Sequence, residues 1–185
     1  MKYKIGIFAS SAEELESKAI DMAEQLAKEL SIYNIIIITG GSSGIPYLVA
    51  KKAAKRGIEV WGYPPKSTPN GDTSIYKKLF FIPTSFPFAS NLDISKKYRN
   101  VISTANCDAG IIISGRWGTL NEFTNLYDMG KVIGVLTGTG GIADELPALS
   151  KKVSKKSKAK IILSNSPKKL IDEVIKELSR RKNDL

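Results

Sequence analysis

The sequence predicts an α/β fold: an open, doubly wound parallel sheet with helices on both faces, forming a single domain over residues 1–185. Three observations carry this. Strand-like apolar runs alternate with helix-like segments along the chain, the strands are nearly unbroken runs of isoleucine and valine, and clusters of small residues recur at strand ends. With 185 residues and 42% hydrophobic content, the chain is long enough to bury one substantial core.

The first strand is "KIGIFAS" (4–10), after which Leu15, Ala19, Met22, Leu26 and Leu30 recur at intervals of three and four and mark an amphipathic helix. "NIIIITG" (34–40) is apolar on both faces, as a central parallel strand covered by helices should be. A helix follows from about Pro46 to Lys55 with Gly57 as its stop, then the strand "IEVWGY" (58–63) and the loop "PPKSTPNGDTS" (64–74). "LFFIP" (79–83) reads as an edge strand, and "DISKKYRNVISTAN" (93–106) as a helix with Ile94, Tyr98, Val101 and Ile102 on one side.

The second half repeats the scheme. Strand "DAGIIISG" (108–115) leads into helix "GTLNEFTNLYDM" (118–129), stopped at Gly130, and then strand "KVIGVLTG" (131–138). Helix "DELPALSKKV" (144–153) is expected to be interrupted at Pro147, and strand "KIILSN" (160–165) follows. Ser166 and Pro167 supply the N-cap and first position of a last helix whose Leu170, Val174, Ile175 and Leu178 share a face.

Composition narrows the chemistry. A lone cysteine, Cys107, excludes an internal disulfide and a cysteine-cluster metal site, and the absence of histidine removes the commonest metal ligand and general base. Catalysis or binding must rest on carboxylates, Arg, Lys, hydroxyls or backbone. No apolar run approaches the roughly 20 residues of a membrane span, and "MKYKIGIFASS" is too short and strand-like for a signal peptide. A cytoplasmic protein with no membrane partner is expected. The net charge of +10 is concentrated late, in "SKKVSKKSKAK" (150–160) and "SRRK" (179–182). These lysines form either a solvated surface or a nucleic-acid-binding face, and the lack of an arginine–aromatic pattern favours the former.

The small-residue clusters all fall at strand ends: "ASS" (9–11), "ITGGSSG" (38–44), "SGRWGT" (114–119) and "TGTGG" (137–141). In doubly wound sheets ligands bind beyond the carboxyl ends of the strands, and backbone N–H groups unobstructed by Cβ atoms can cradle a phosphate there. Any single cluster also suits an ordinary tight turn. "TGGSSG" has the spacing of neither the dinucleotide fingerprint nor a Walker loop. The candidate residues for a phosphate-bearing small molecule are Ser10, Ser11, Gly40, Gly41, Ser42, Ser43, Gly44, Gly115, Arg116, Trp117, Gly118 and Thr119.

The blocks "TGGSSGIPYLVAKKAAKRG", "YRNVISTANCDAGIIISGRWGTLNEF" and "GKVIGVLTGTGG", in this order, resemble the Lonely Guy (LOG) proteins, long labelled "possible lysine decarboxylase", over about residues 1–140. The wider Rossmann-like nucleotide-binding superfamily includes the molybdenum-cofactor carrier proteins and relatives of the DNA-processing protein DprA. The resemblance implies one of three functions. The first is a binding or carrier module for a nucleotide or molybdopterin-like ligand. The second is a nucleoside 5′-monophosphate phosphoribohydrolase that needs no cofactor, and the third is nucleic-acid binding of the DprA type. A lysine decarboxylase would require a pyridoxal-phosphate Schiff-base lysine, for which nothing here argues.

By the same resemblance, the family signature falls on Ser114 to Glu122 and its catalytic arginine on Arg99. Family members pair through the helices carrying these residues, which implies a homodimer or tetramer. Ser114 for proline, Arg116 for glycine and Asn121 for the acidic neighbour depart from the signature and weaken the enzyme reading, while Asn100 for the lysine after the arginine, together with "TGTGG", brings the chain closer to the carrier-like branch. Arg116 either supplies an anion contact or fills the pocket. Chemically, a Glu122 carboxylate suits an oxocarbenium-like transition state or the orientation of a water, and Arg99 a phosphate or sugar clamp. Both also suit ordinary structural positions, a first-turn acid and a surface cation.

Overall fold

The computed structural model describes residues 2–11, 17–41, 43–66, 72–153 and 155–184. Its elements are β1 (Tyr3–Ala9), α1 (Ser17–Leu30), β2 (Ile35–Thr39), α2 (Ile45–Ala54), β3 (Glu59–Gly62), β4 (Lys78–Leu79), α3 (Leu92–Ala105), β5 (Ala109–Ile113), α4 (Trp117–Asp128), β6 (Val132–Leu136), α5 (Ile142–Lys152), β7 (Lys160–Ser164) and α6 (Pro167–Asn183). They build one 7-stranded sheet in the order β4-β3-β2-β1-β5-β6-β7, and every pairing is parallel. The predicted Rossmann-like α/β fold is present.

Burial explains why the central strands lack in-out alternation. Every residue of β2, β5 and β6 is buried, because each face of the sheet carries helices. One core joins Ile5, Ile37 and Ile111 to Leu26 of α1, Val49 of α2 and Val174 of α6. The other joins Phe8, Ile38 and Ile112 to Phe123 and Leu126 of α4 and Leu146 of α5. Neighbouring isoleucines on β2 therefore serve opposite cores, as a period of two requires. The caps match the sequence: the Ser166 hydroxyl accepts from Lys169 N, and Gly57 takes a φ of 84° just beyond α2.

Three expectations need correction. Of the predicted edge strand 79–83 only Leu79 falls in β4, which starts one residue earlier at Lys78, and the Phe80 ring stacks on Tyr63 with ring centroids 4.7 Å apart. Helix α5 runs unbroken through Pro147, whose ring removes one amide donor while buried Ala143 and Leu146 anchor the helix to the sheet. The third is the face that α3 buries. Ile94 and Val101 are exposed, whereas Ser95, Asn100, Ser103 and Thr104 are buried. The helix can bury these polar groups because the Ser103 and Thr104 hydroxyls donate to the Asn100 carbonyl one turn back.

The lysine-rich stretch spans the end of α5 and the start of β7, so the parallel topology puts it at the amino-terminal rim of the sheet. The clusters that end β1, β2 and β5 are at the other rim.

Candidate functional site

Strand order reverses at β1, which pairs with β2 on one side and β5 on the other. Loops leaving β1 and β5 diverge there and open a crevice at the carboxyl rim. It is a cleft of about 400 Å³ lined by Ser10, Ser11, Gly40, Pro46 and Pro65, by Asp93, Lys96, Lys97, Arg99 and Asn100 of α3, and by Arg116, Gly118, Thr119 and Glu122 around the start of α4. Ile7, Phe8 and Ala9 complete its lining. Four cations face two carboxylates, and Lys96 holds Asp93 at 3.1 Å. The balance favours an anion.

Arg99 reaches over from α3 to donate Nη1 to the Gly40 carbonyl at 2.7 Å. A Cβ on residue 40 would be 1.6 Å from Nη1, so the bond as it stands depends on glycine at that point. The Nε of Arg99 is buried without a partner. Burial pushes the guanidinium's pKa down, and the nearby Glu122 carboxylate pulls it back up. Glu122 is only 7% exposed. Burial drives its carboxyl up to about 7, against the opposing pull of Arg99 and Lys97. Among the described residues no ion pair joins Glu122 to Arg99, so the two couple through the field rather than by contact.

The start of α4 points its amides at the same space. Its N-cap, Arg116, is exposed and makes no side-chain cap hydrogen bond, and a Cβ on Gly118 would meet nothing within 4 Å. Unsatisfied first-turn N–H groups and the positive end of the helix dipole therefore border the cleft.

Of the candidates from the sequence, Ser10, Ser11, Gly40, Arg99, Arg116, Gly118, Thr119 and Glu122 come together in this cleft. Gly41, Ser43, Gly44, Gly115 and Trp117 are not among its lining residues, and Ser42 falls outside the described residues. Gly41 and Gly44 answer to the chain itself: added Cβ atoms would meet Pro64 N at 2.8 Å and Ser10 O at 2.4 Å. Ser43 donates its hydroxyl to the Ser11 carbonyl, Gly115 accepts from Ile142 N, and the Trp117 ring is 82% exposed. The "TGTGG" cradle expected after β6 is already filled. The Asp144 carboxylate accepts from Gly138 N at 2.5 Å and from Gly140 N at 3.0 Å, doing there what a bound anion would do.

Sequence reasoning missed Asp93, Lys96, Lys97 and Asn100. Their i, i+3, i+4, i+7 spacing was a readable polar face on α3 beside the apolar one.

A parallel sheet whose strand order reverses over a polar crevice defines the Rossmann-like class of α/β proteins. The chain belongs to the SLOG cluster4 family, whose model matches residues 2–171. No curated protein matches it significantly. Among solved structures it is similar to TM1055 (TM-score 0.79, 20% identity, covering 96% of this chain and 99% of that one). It is also similar to a molybdenum cofactor binding protein from Rippkaea orientalis (0.71, 17%, 96% and 98%). A third is DNA processing protein A from Streptococcus pneumoniae (0.67, 16%, 93% and 62%). At these identities the likeness is one of fold.

Proposed function

We propose that the chain binds a phosphate-bearing small molecule, a nucleotide derivative or a molybdopterin-like cofactor, in the cleft between β1, β2, α3 and α4. The observation that carries this is the pairing of the open α4 N-terminus at Gly118 with Lys96, Lys97, Arg99 and Arg116 around one cleft. Helix amides bind phosphate oxygens directionally, and the cations supply long-range attraction. The similarity to a molybdenum cofactor binding protein supports the carrier form of this reading. The phosphate of a pterin cofactor suits the same cations, and Arg116 then serves as an anion contact rather than a plug.

Glu122 favours a second reading, hydrolysis of the N-glycosidic bond of a nucleoside 5′-monophosphate. A buried carboxyl that titrates near 7 is poised to ionise at working pH, beside the cations that would hold the phosphate. The lysine-rich stretch supports neither reading, since none of the described residues of 150–160 lines the cleft. Nucleic-acid binding, which the similarity to DNA processing protein A keeps in view, would use the opposite rim and fall steeply with added salt.

One incubation separates these readings. The protein is mixed with a panel of nucleoside 5′-monophosphates, free base and ribose 5-phosphate are sought by mass spectrometry, and melting temperature is followed in parallel. A rise in melting temperature without base release is the expected result. Base release that disappears in Glu122→Gln would replace binding by hydrolysis. No melting shift with any nucleotide or with inorganic phosphate would overturn both.

A further inference from the structure

Asn100 lines the cleft yet is only 3% exposed. Its amide is held from one side: Nδ2 donates to Oδ1 of Asn121 at 3.0 Å, tying α3 to α4. Its Oδ1 has no hydrogen-bond partner, although it is buried in a cleft rich in donors. Lys96, Lys97 and Arg99 share that cleft, and none donates to it. A buried carbonyl oxygen left unpaired is costly, and one that lines a cleft offers a place for a donor carried by a ligand. Glu122, the residue after Asn121, lines the same cleft.

This one buried acceptor sets a requirement on whatever enters. A dicarboxylate or a fully ionised alkyl phosphate, as butyl phosphate is at about pH 8, brings only acceptors and apolar carbon, and leaves Oδ1 as it was. We infer that Asn100 is a specificity-determining residue that selects phosphate esters carrying a hydrogen-bond donor, a hydroxyl or a ring N–H, on the part of the molecule beside the phosphate. This rests on the anion-binding reading above and narrows its ligand class to polyol phosphates and nucleotides. Sugar hydroxyls and heterocyclic N–H groups are two sources of the same donor chemistry. Ribose 5-phosphate, which has no base, tests the first, and comparison with adenosine 5′-monophosphate tests the second.

Calorimetric titration of the full chain with inorganic phosphate, butyl phosphate, ribose 5-phosphate and adenosine 5′-monophosphate provides the test. The wild type should prefer at least one donor-bearing ester over butyl phosphate by roughly 5- to 100-fold, the range expected for satisfying one buried acceptor. Asn100→Leu should erase that preference, bringing butyl phosphate and the donor-bearing esters to within about 2-fold of one another. A preference seen only with the nucleotide would assign the donor to the base, and one already present with ribose 5-phosphate to the sugar. A preference that persists in Asn100→Leu would overturn the inference while leaving anion binding intact. If that variant does not fold, the wild-type comparison decides, because equal affinities for butyl phosphate and both donor-bearing esters overturn the inference. Failure of the wild type to bind any phosphate would instead overturn the functional reading and this inference with it.

Discussion

Arg99 of α3 and Gly40 at the end of β2 are joined by a 2.7 Å hydrogen bond from Nη1 to the carbonyl oxygen. The bond in this form depends on residue 40 having no side chain, and it holds the guanidinium at the carboxyl rim of the sheet, in the cleft lining. Gly40→Ala should therefore displace Arg99 without unfolding the protein, since the clashing atom is the far end of a flexible side chain. The expected outcome is a loss of about 10-fold or more in affinity for inorganic phosphate, as removal of one charge-assisted contact implies. Melting temperature should fall only modestly. Calorimetry beside thermal unfolding checks this, and unchanged affinity would remove Arg99 from the anion site.

Glu122 makes stability depend on pH in an identifiable direction. Burial raises its folded-state pKa to about 7 from the ordinary 4.5, so the native state holds the proton more tightly than the unfolded chain. Its contribution is fully present below the unfolded value, declines as pH rises from 4.5 towards 7, and is absent above that. The span corresponds to an order-of-magnitude loss of about 3 kcal/mol. Glu122→Gln should match the wild type in urea unfolding near about pH 4 and exceed it by about 2–3 kcal/mol near about pH 8. A constant gap at all pH values would mean that the carboxyl is not the titrating group.

Much of this architecture was legible because burial on both faces leaves a direct trace in β2, β5 and β6, where no position needs to be polar. Glycine-rich turns pointed to the rim where the cleft opens, because those after β1, β2 and β5 are all at carboxyl ends of strands. What they could not reveal is which donors were already spent. Asp144 fills its own loop from six residues ahead of Gly138, and Gly44 is dictated by the Ser10 backbone, a contact made only after β1 and β2 pair. On α3 the apolar pattern misled, because the helix buries small hydroxyls that its own backbone satisfies and turns Ile94 and Val101 outward. An amphipathic pattern identifies a helix without saying which face is inside.

Gly118 separates folding from binding. Nothing is within 4 Å of a Cβ built there, and glycine is a poor helix residue, so Gly118→Ala should leave stability unchanged or raise it by up to about 1 kcal/mol. The same methyl group would stand over the α4 N-terminus and hinder an anion from reaching its amides. The expected result is a melting temperature equal to or above the wild type's, together with weaker phosphate binding. A variant that is more stable and binds equally well would move the anion away from α4.

The outward face of α3 bears on assembly. Ile94 is 38% exposed and Val101 42%, at i and i+7 with Tyr98 between them, and Phe86 extends the patch by packing on Tyr98 with ring centroids 4.4 Å apart. Phe88, 54% exposed, meets Phe86 edge-on at 5.8 Å. Monomeric surfaces rarely leave so many large apolar side chains contiguous and uncovered. We propose that two copies of the chain pair through this face. The mass in multi-angle light scattering at micromolar concentration should be twice that of the chain. Val101→Asp should reduce it to a single chain, because a carboxylate buried at a symmetric contact meets its own copy without a partner. Stability of the isolated fold should change little, since Val101 belongs to neither core. A wild-type mass of one chain would refute the pairing, and an unchanged dimer in Val101→Asp would place the contact elsewhere.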